Sequence, residues 1–147
     1  MRPAPRNWRS RQGGDRYLRE LHIPDLGQPL SVSINRTTYM PIVSGRTFDE
    51  LSSQGLKTLV NIAHALAHHT VAIDRSLPLP GLLILDSLSA NAGSEGFDQA
   101  RIRDVYRLLR EVGADYRDSL QLVAVDNELP ATMSIELARL RWRVVLW

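Results

Sequence analysis

The sequence predicts an α/β fold, a mostly parallel sheet flanked by helices. Three observations carry that prediction. A long helical pattern runs from Leu56 to Val71. Two aliphatic runs follow it, Leu82–Leu85 and Leu120–Val125, each ending beside an acid, Asp86 and Asp126. A second helical pattern, from Asp98 to Val112, separates the two runs. Strands that alternate with helices in this way form β–α–β units, and such units build parallel sheets.

Each element has its own signal. Leu56, Leu59, Val60, Ala63, Leu66, Ala67 and Val71 recur at helical spacing, so one face of the long helix is apolar. Ser52, Ser53 and Gly55 stand at its start. A helix start leaves backbone N–H groups unsatisfied and carries partial positive charge, which suits a phosphate. Residues 72–80 make a proline-bearing connection. Leu82–Leu85 is uninterrupted aliphatic sequence, as expected of a strand covered on both faces. Residues 87–97 form a small-residue loop. Asp98 caps the next helix, whose apolar face is Ile102, Val105, Tyr106, Leu109 and Val112, and Gly113 reads as its stop.

The flanks are less regular. Ser31–Asn35 alternates and Thr38–Val43 is β-rich, a strand pair joined at Asn35-Arg36-Thr37. Pro41 marks an edge strand or the end of one. Residues 133–140 read as a short helix, and Trp142–Trp147 as a last strand. Residues 1–14 form an irregular arm, and Asp15–His22 a short helix. The organisation is then a basic arm over residues 1–22 and one lobe over 23–147, a length that buries one ordinary core.

Composition narrows the function classes. A hydrophobic share of 44% and a charged share of 23% fit a globular protein. The net charge of +2 is too small to imply nucleic-acid binding by itself. Arginine nevertheless crowds the N-terminus at Arg2, Arg6, Arg9, Arg11, Arg16 and Arg19, and Lys57 is the sole lysine. Such an arm can contact phosphates or simply be solvated. The absence of cysteine excludes disulfides and thiolate metal sites. No apolar run reaches the roughly 20 residues that span a bilayer, and no secretory signal is evident, so a cytoplasmic location with no membrane is expected.

The motif segments occur in a telling order. Ser53-Gln54-Gly55-Leu56-Lys57 opens the long helix, the strand Leu82–Asp86 ends in an acid, and Val125-Asp126-Asn127 ends the next strand. This order resembles the C-terminal half of an ABC-type ATPase head. The kind is that of structural-maintenance-of-chromosomes (SMC) and coiled-coil DNA-repair ATPases, within the P-loop NTPase superfamily. The resemblance covers residues 38 to 130. It implies a P-loop-NTPase-like C-terminal lobe in which Ser53, Gln54, Gly55 and Lys57 form a signature motif that contacts ATP held by an opposite head. It implies a Walker B role for Asp86, which would act through Mg²⁺ and its waters, and a switch role for Asn127. Ser89 and Asn91 fall in the loop that crosses the dimer interface. Mg²⁺ and ATP would be shared with a partner half.

Departures from the family pattern are equally specific. Gln54 replaces the first glycine of the signature, and Leu56 its Gln or Glu. Ser87 stands where a Glu polarises the attacking water, and a serine hydroxyl is a poor base near neutrality. Glu95 is the nearby acid that would have to replace it. Asn127 stands where a histidine senses phosphate, and its amide donates hydrogen bonds but does not titrate. No GxxxxGK[ST] loop and no sustained heptad run occur, so the chain lacks the Walker A half. ATP hydrolysis would then require a Walker A-bearing half or a homologous head as partner, with DNA as a further candidate partner. A rival reading is a non-catalytic interaction module with the same fold that docks on a partner head. A third is a nucleic-acid binder acting through the arginine arm.

Other constellations fare worse. His64 and His68 lie four apart, with His69 next, but Ala65 occupies the glutamate position of the H-E-x-x-H zinc pattern. No G-x-S-x-G nucleophile elbow is present.

Overall fold

The computed structural model describes residues 13–23, 26, 29–90, 98–126 and 145–146. These form a mixed α/β structure with two small sheets. Helix α1 spans Gly13–Glu20. Strands β1 (Val32–Ile34), β2 (Pro41–Val43) and β3 (Arg46–Thr47) form an antiparallel sheet in that order. Helix α2, Gln54–Asp74, leads to β4, Leu82–Asp86. Helix α3, Gln99–Asp115, leads to β5, Gln121–Asp126. A short β6, Val145–Leu146, completes a parallel sheet of order β4-β5-β6.

The expected parallel sheet is present but small, and the upstream strands stand outside it. Both β–α–β-type strands are parallel, with Leu82 opposite Gln121 and Asp86 opposite Val125. The upstream strands instead make a separate antiparallel sheet, with Val32 opposite Val43 and Val43 opposite Arg46. The turn between β2 and β3 is Ser44-Gly45, both at positive φ (49° and 79°). Two such residues match the twist of a tight hairpin, so β3 follows at once. Pro41 sits at the first position of the middle strand β2, where a proline is tolerated.

Burial explains why the helices hold. Leu59 and Leu66 of α2 are fully buried, with Leu56, Val60, Ala63 and Ala67 beside them. Tyr17, Leu18 and Leu21 of the α1 segment pack into the same cluster, as do Ile102, Val105, Leu109 and Val112 of α3. An isolated helix of eight residues is unstable. Each large buried apolar side chain contributes about 1.5–3 kcal/mol, so Tyr17, Leu18 and Leu21 anchor α1 by packing. The Tyr17 hydroxyl also donates to Thr70 Oγ1 at 3.0 Å, and Thr70 donates to the Leu66 carbonyl at 2.8 Å. The basic arm thus ends inside the core rather than beside it.

Some boundaries move. α3 continues through Gly113 to Asp115, because Val112 is buried and the Tyr116 amide closes the helix on the Val112 carbonyl. α2 runs three residues beyond Val71, to Asp74. β4 is not covered on both faces: Leu83 is buried, whereas Leu82 and Ile84 are 45% and 58% exposed. The proposed helix at 133–140 lies outside the described residues. Among those residues, no helix is long and apolar enough to cross a membrane.

Candidate functional site

The start of α2 is built from local capping. Ser53 has extended backbone, and its Oγ accepts the Leu56 amide at 3.1 Å. The Lys57 amide reaches the Ser53 carbonyl at 3.1 Å. The Gln54 and Gly55 amides have no hydrogen-bond partner among the described residues. They are the donors that an α-helix start leaves over once its cap is formed. Gln54 is exposed, while Gly55 is buried, so the approach to this end is from the Gln54 side. Lys57 bends back over the Phe48 ring, with Nζ 5.9 Å from its centroid. Just upstream, Glu50 accepts from the Thr47 amide at 2.7 Å and from its hydroxyl at 2.9 Å. That hydrogen bonding, from the amide first, holds the Glu50 carboxyl below its ordinary range.

Asp86 closes β4 at its carboxyl end and is exposed. α2 packs on β4, the strand that follows it. Its 21 residues span about 31 Å, against about 17 Å for the five of β4. In open α/β sheets ligands bind outside the carboxyl ends of the strands, the end of β4 that carries Asp86.

Ser87 follows Asp86 with φ at 57°, an unusual value for a residue with a side chain. Its amide donates to the Val125 carbonyl at 2.8 Å, which ties the turn to β5. Its hydroxyl donates to Asp86 Oδ1 at 3.1 Å. The residue in the expected glutamate position thus decorates the carboxylate and supplies no base.

The best-formed polar cluster was not singled out by the sequence. Asp126, at the end of β5, is 2% exposed. It accepts the Ser89 amide at 3.0 Å, the Ser89 hydroxyl, and the Tyr106 hydroxyl at 2.8 Å. Burial, and then the adjacent carboxylate, push the Tyr106 hydroxyl well above the usual phenol range. Ser89, expected at a dimer-interface loop, is directed inward to Asp126. A sequence signal for this node exists: Tyr106 is the one hydroxyl on the apolar face of α3, and a buried hydroxyl needs a partner. Asn91, Glu95 and Asn127 lie outside the described residues.

The α2 histidines stand apart from one another. His64 and His68 rings are 6.2 Å apart and tilted, and the described residues include no cluster of metal-ligating side chains. The His69 ring pairs with the Ala65 carbonyl at 3.0 Å. Comparison with family models, curated proteins and solved structures finds no match for the chain.

Proposed function

We propose that the chain is a partial ATP-binding head of the SMC and DNA-repair ATPase kind. It would supply signature, Walker B-like and switch elements to a composite ATP site completed by a Walker A-bearing half. The observation that carries the reading is the presence of two features together. One is a capped helix start whose Gln54 and Gly55 amides have no partner among the described residues; the other is an exposed carboxylate, Asp86, at the end of a parallel strand.

Both features fit the group they would meet. Backbone amides at a helix start favour a phosphate. A carboxylate oxygen is the ligand type Mg²⁺ prefers, and it commonly binds through the metal's waters. When bound, Mg²⁺ supplies charge neutralisation for the phosphate oxygens. Gln54 and Gly55 would donate to a terminal phosphate presented by the partner, with Ser53 fixing the helix end and Lys57 adding charge. Asp86 would hold the metal shell of the chain's own site.

The Ser87 hydroxyl on Asp86 favours a second reading, a non-catalytic module that docks on a partner head without turnover. The two readings separate in one experiment. The chain is mixed with a candidate Walker A-bearing half, and ATP turnover is measured with native protein, Ser53→Arg and Asp86→Ala. Turnover that needs the native chain and fails with both variants supports the composite site. Docking that is independent of ATP, with no turnover, supports the module. No association under any nucleotide condition removes both.

A further inference from the structure

A groove of about 970 Å³ lies along α2 and is lined by none of the residues named above as phosphate or metal contacts. Its floor is Val60, Ala63, Ala67 and Val71, spaced along one face of α2. Its walls are the β1–β2 hairpin and residues 77–79. Neither Ser53 nor Asp86 lines it.

Three observations say what suits it. First, large apolar side chains are left in solvent around it: Ile34, Tyr39 and Leu77 are 46%, 74% and 54% exposed. Second, its charged lining is cationic. Arg36 and Arg75 both line it, no acid does among the described residues, and neither guanidinium has an ion-pair partner there. Third, the hairpin loop holds Tyr39 at the groove in a costly conformation. Tyr39 has φ of 59°, and Asn35 fixes it: the Tyr39 amide donates to the Asn35 carbonyl at 2.8 Å, and Asn35 Oδ1 accepts the Thr37 and Thr38 amides. Such strain costs about 1–3 kcal/mol and persists only where surrounding bonds enforce it.

We propose that this groove binds a single-chain amphiphile with an anionic head, its apolar chain along the α2 floor and its head on Arg36 or Arg75. From Val60 to Val71 the floor runs about 17 Å, the length of a single extended alkyl chain. The volume falls in the range of small-molecule sites, about 300–1,000 Å³ with an apolar lining and few polar groups. Alanines at 63 and 67 keep the middle of the floor open to close approach of a chain. This proposal is independent of the ATPase reading.

The test uses the full chain and monomeric dodecanoate, followed by isothermal titration calorimetry. Dodecanol, dodecyltrimethylammonium and anionic phosphatidylglycerol vesicles serve as comparison probes. The expected result is saturable binding of dodecanoate at one per chain, at least about tenfold tighter than either uncharged or cationic analogue. Arg36→Gln with Arg75→Gln should weaken it by about tenfold or more, while circular dichroism shows an unchanged fold. Equal binding of all three amphiphiles, dodecanoate binding that ignores the arginine changes, or binding to vesicles alone overturns the proposal.

Discussion

Replacing Tyr106 by Phe should destabilise the fold by about 1.5–3 kcal/mol, because it removes one hydrogen bond to a buried carboxylate. The structure fixes the terms. Asp126 is 2% exposed and receives the Ser89 amide, the Ser89 hydroxyl and the Tyr106 hydroxyl. The ring stays, so the packing of α3 on the sheet is retained and no large cavity opens. The lost contribution is a hydrogen bond to a charged group, worth more than a neutral one. Asp126→Ala should cost more, about 3–5 kcal/mol, since it strands three donors at once. A domain of this size has total stability of about 5–15 kcal/mol, so the second variant approaches the limit of folding. Urea unfolding followed by far-ultraviolet circular dichroism measures both. In the double variant, Tyr106→Phe should add little to Asp126→Ala, since the partner is already gone. A Tyr106→Phe loss below about 0.5 kcal/mol, or full additivity with Asp126→Ala, would refute the account.

Three further expectations can be checked in the same assay. Ser53→Ala should cost about 0.5–2 kcal/mol by removing the α2 cap, and a neutral result would show that the Leu56 amide finds another acceptor. Gly81→Ala should be destabilising by more than about 1 kcal/mol, because an added Cβ would meet the Ser119 carbonyl oxygen while Gly81 accepts the Gln121 amide at 2.7 Å; an unchanged urea midpoint would contradict this. Burial, reinforced by the charge of His68, lowers the His64 imidazole below its ordinary value of 6.5. The folded state thus favours neutral His64, so this stability is complete above about pH 6.5 and is lost as pH falls through the lowered value. Between about pH 7 and pH 5 the urea midpoint should drop, and His64→Gln should flatten that slope; an identical slope in the variant would assign the effect elsewhere.

The sequence was most legible where one physical signal acted alone. Periodicity placed α2 and α3, and aliphatic runs placed β4 and β5, because burial of one face dictates both patterns. The cap at Asp98 was legible too, since its carboxylate accepts the Arg101 amide at 3.0 Å as the Asp-before-helix pattern implies. Gly113 misled because helix propensity is a weak preference that the burial of Val112 overrides. The exposure of Leu82 and Ile84 was illegible, as an unbroken aliphatic run does not state what covers each face. The Asp126 node was legible only at Tyr106, whose hydroxyl on an apolar helix face calls for a partner, and not as a cluster. Ser89, Tyr106 and Asp126 come from three separate elements, and only the tertiary fold brings them together. At the candidate site, the helix cap and the acid at the strand end were legible residue by residue, because a serine before an apolar helix and an acid after an aliphatic run are each local patterns.

The seating of Tyr17 against Thr70 sets a practical limit on any dissection of the N-terminal arginines. A truncation that stops short of Gly13 would strip charge and leave the hydrophobic contacts of α1 in place. One that proceeds through Arg19 would pull Tyr17 and Leu18 out of the interior and leave the Thr70 hydroxyl without the Tyr17 bond. Lost affinity for a polyanion after the longer cut would then report a collapsing protein, whereas charge-neutralising changes at Arg2, Arg6, Arg9 and Arg11 would interrogate the electrostatics alone.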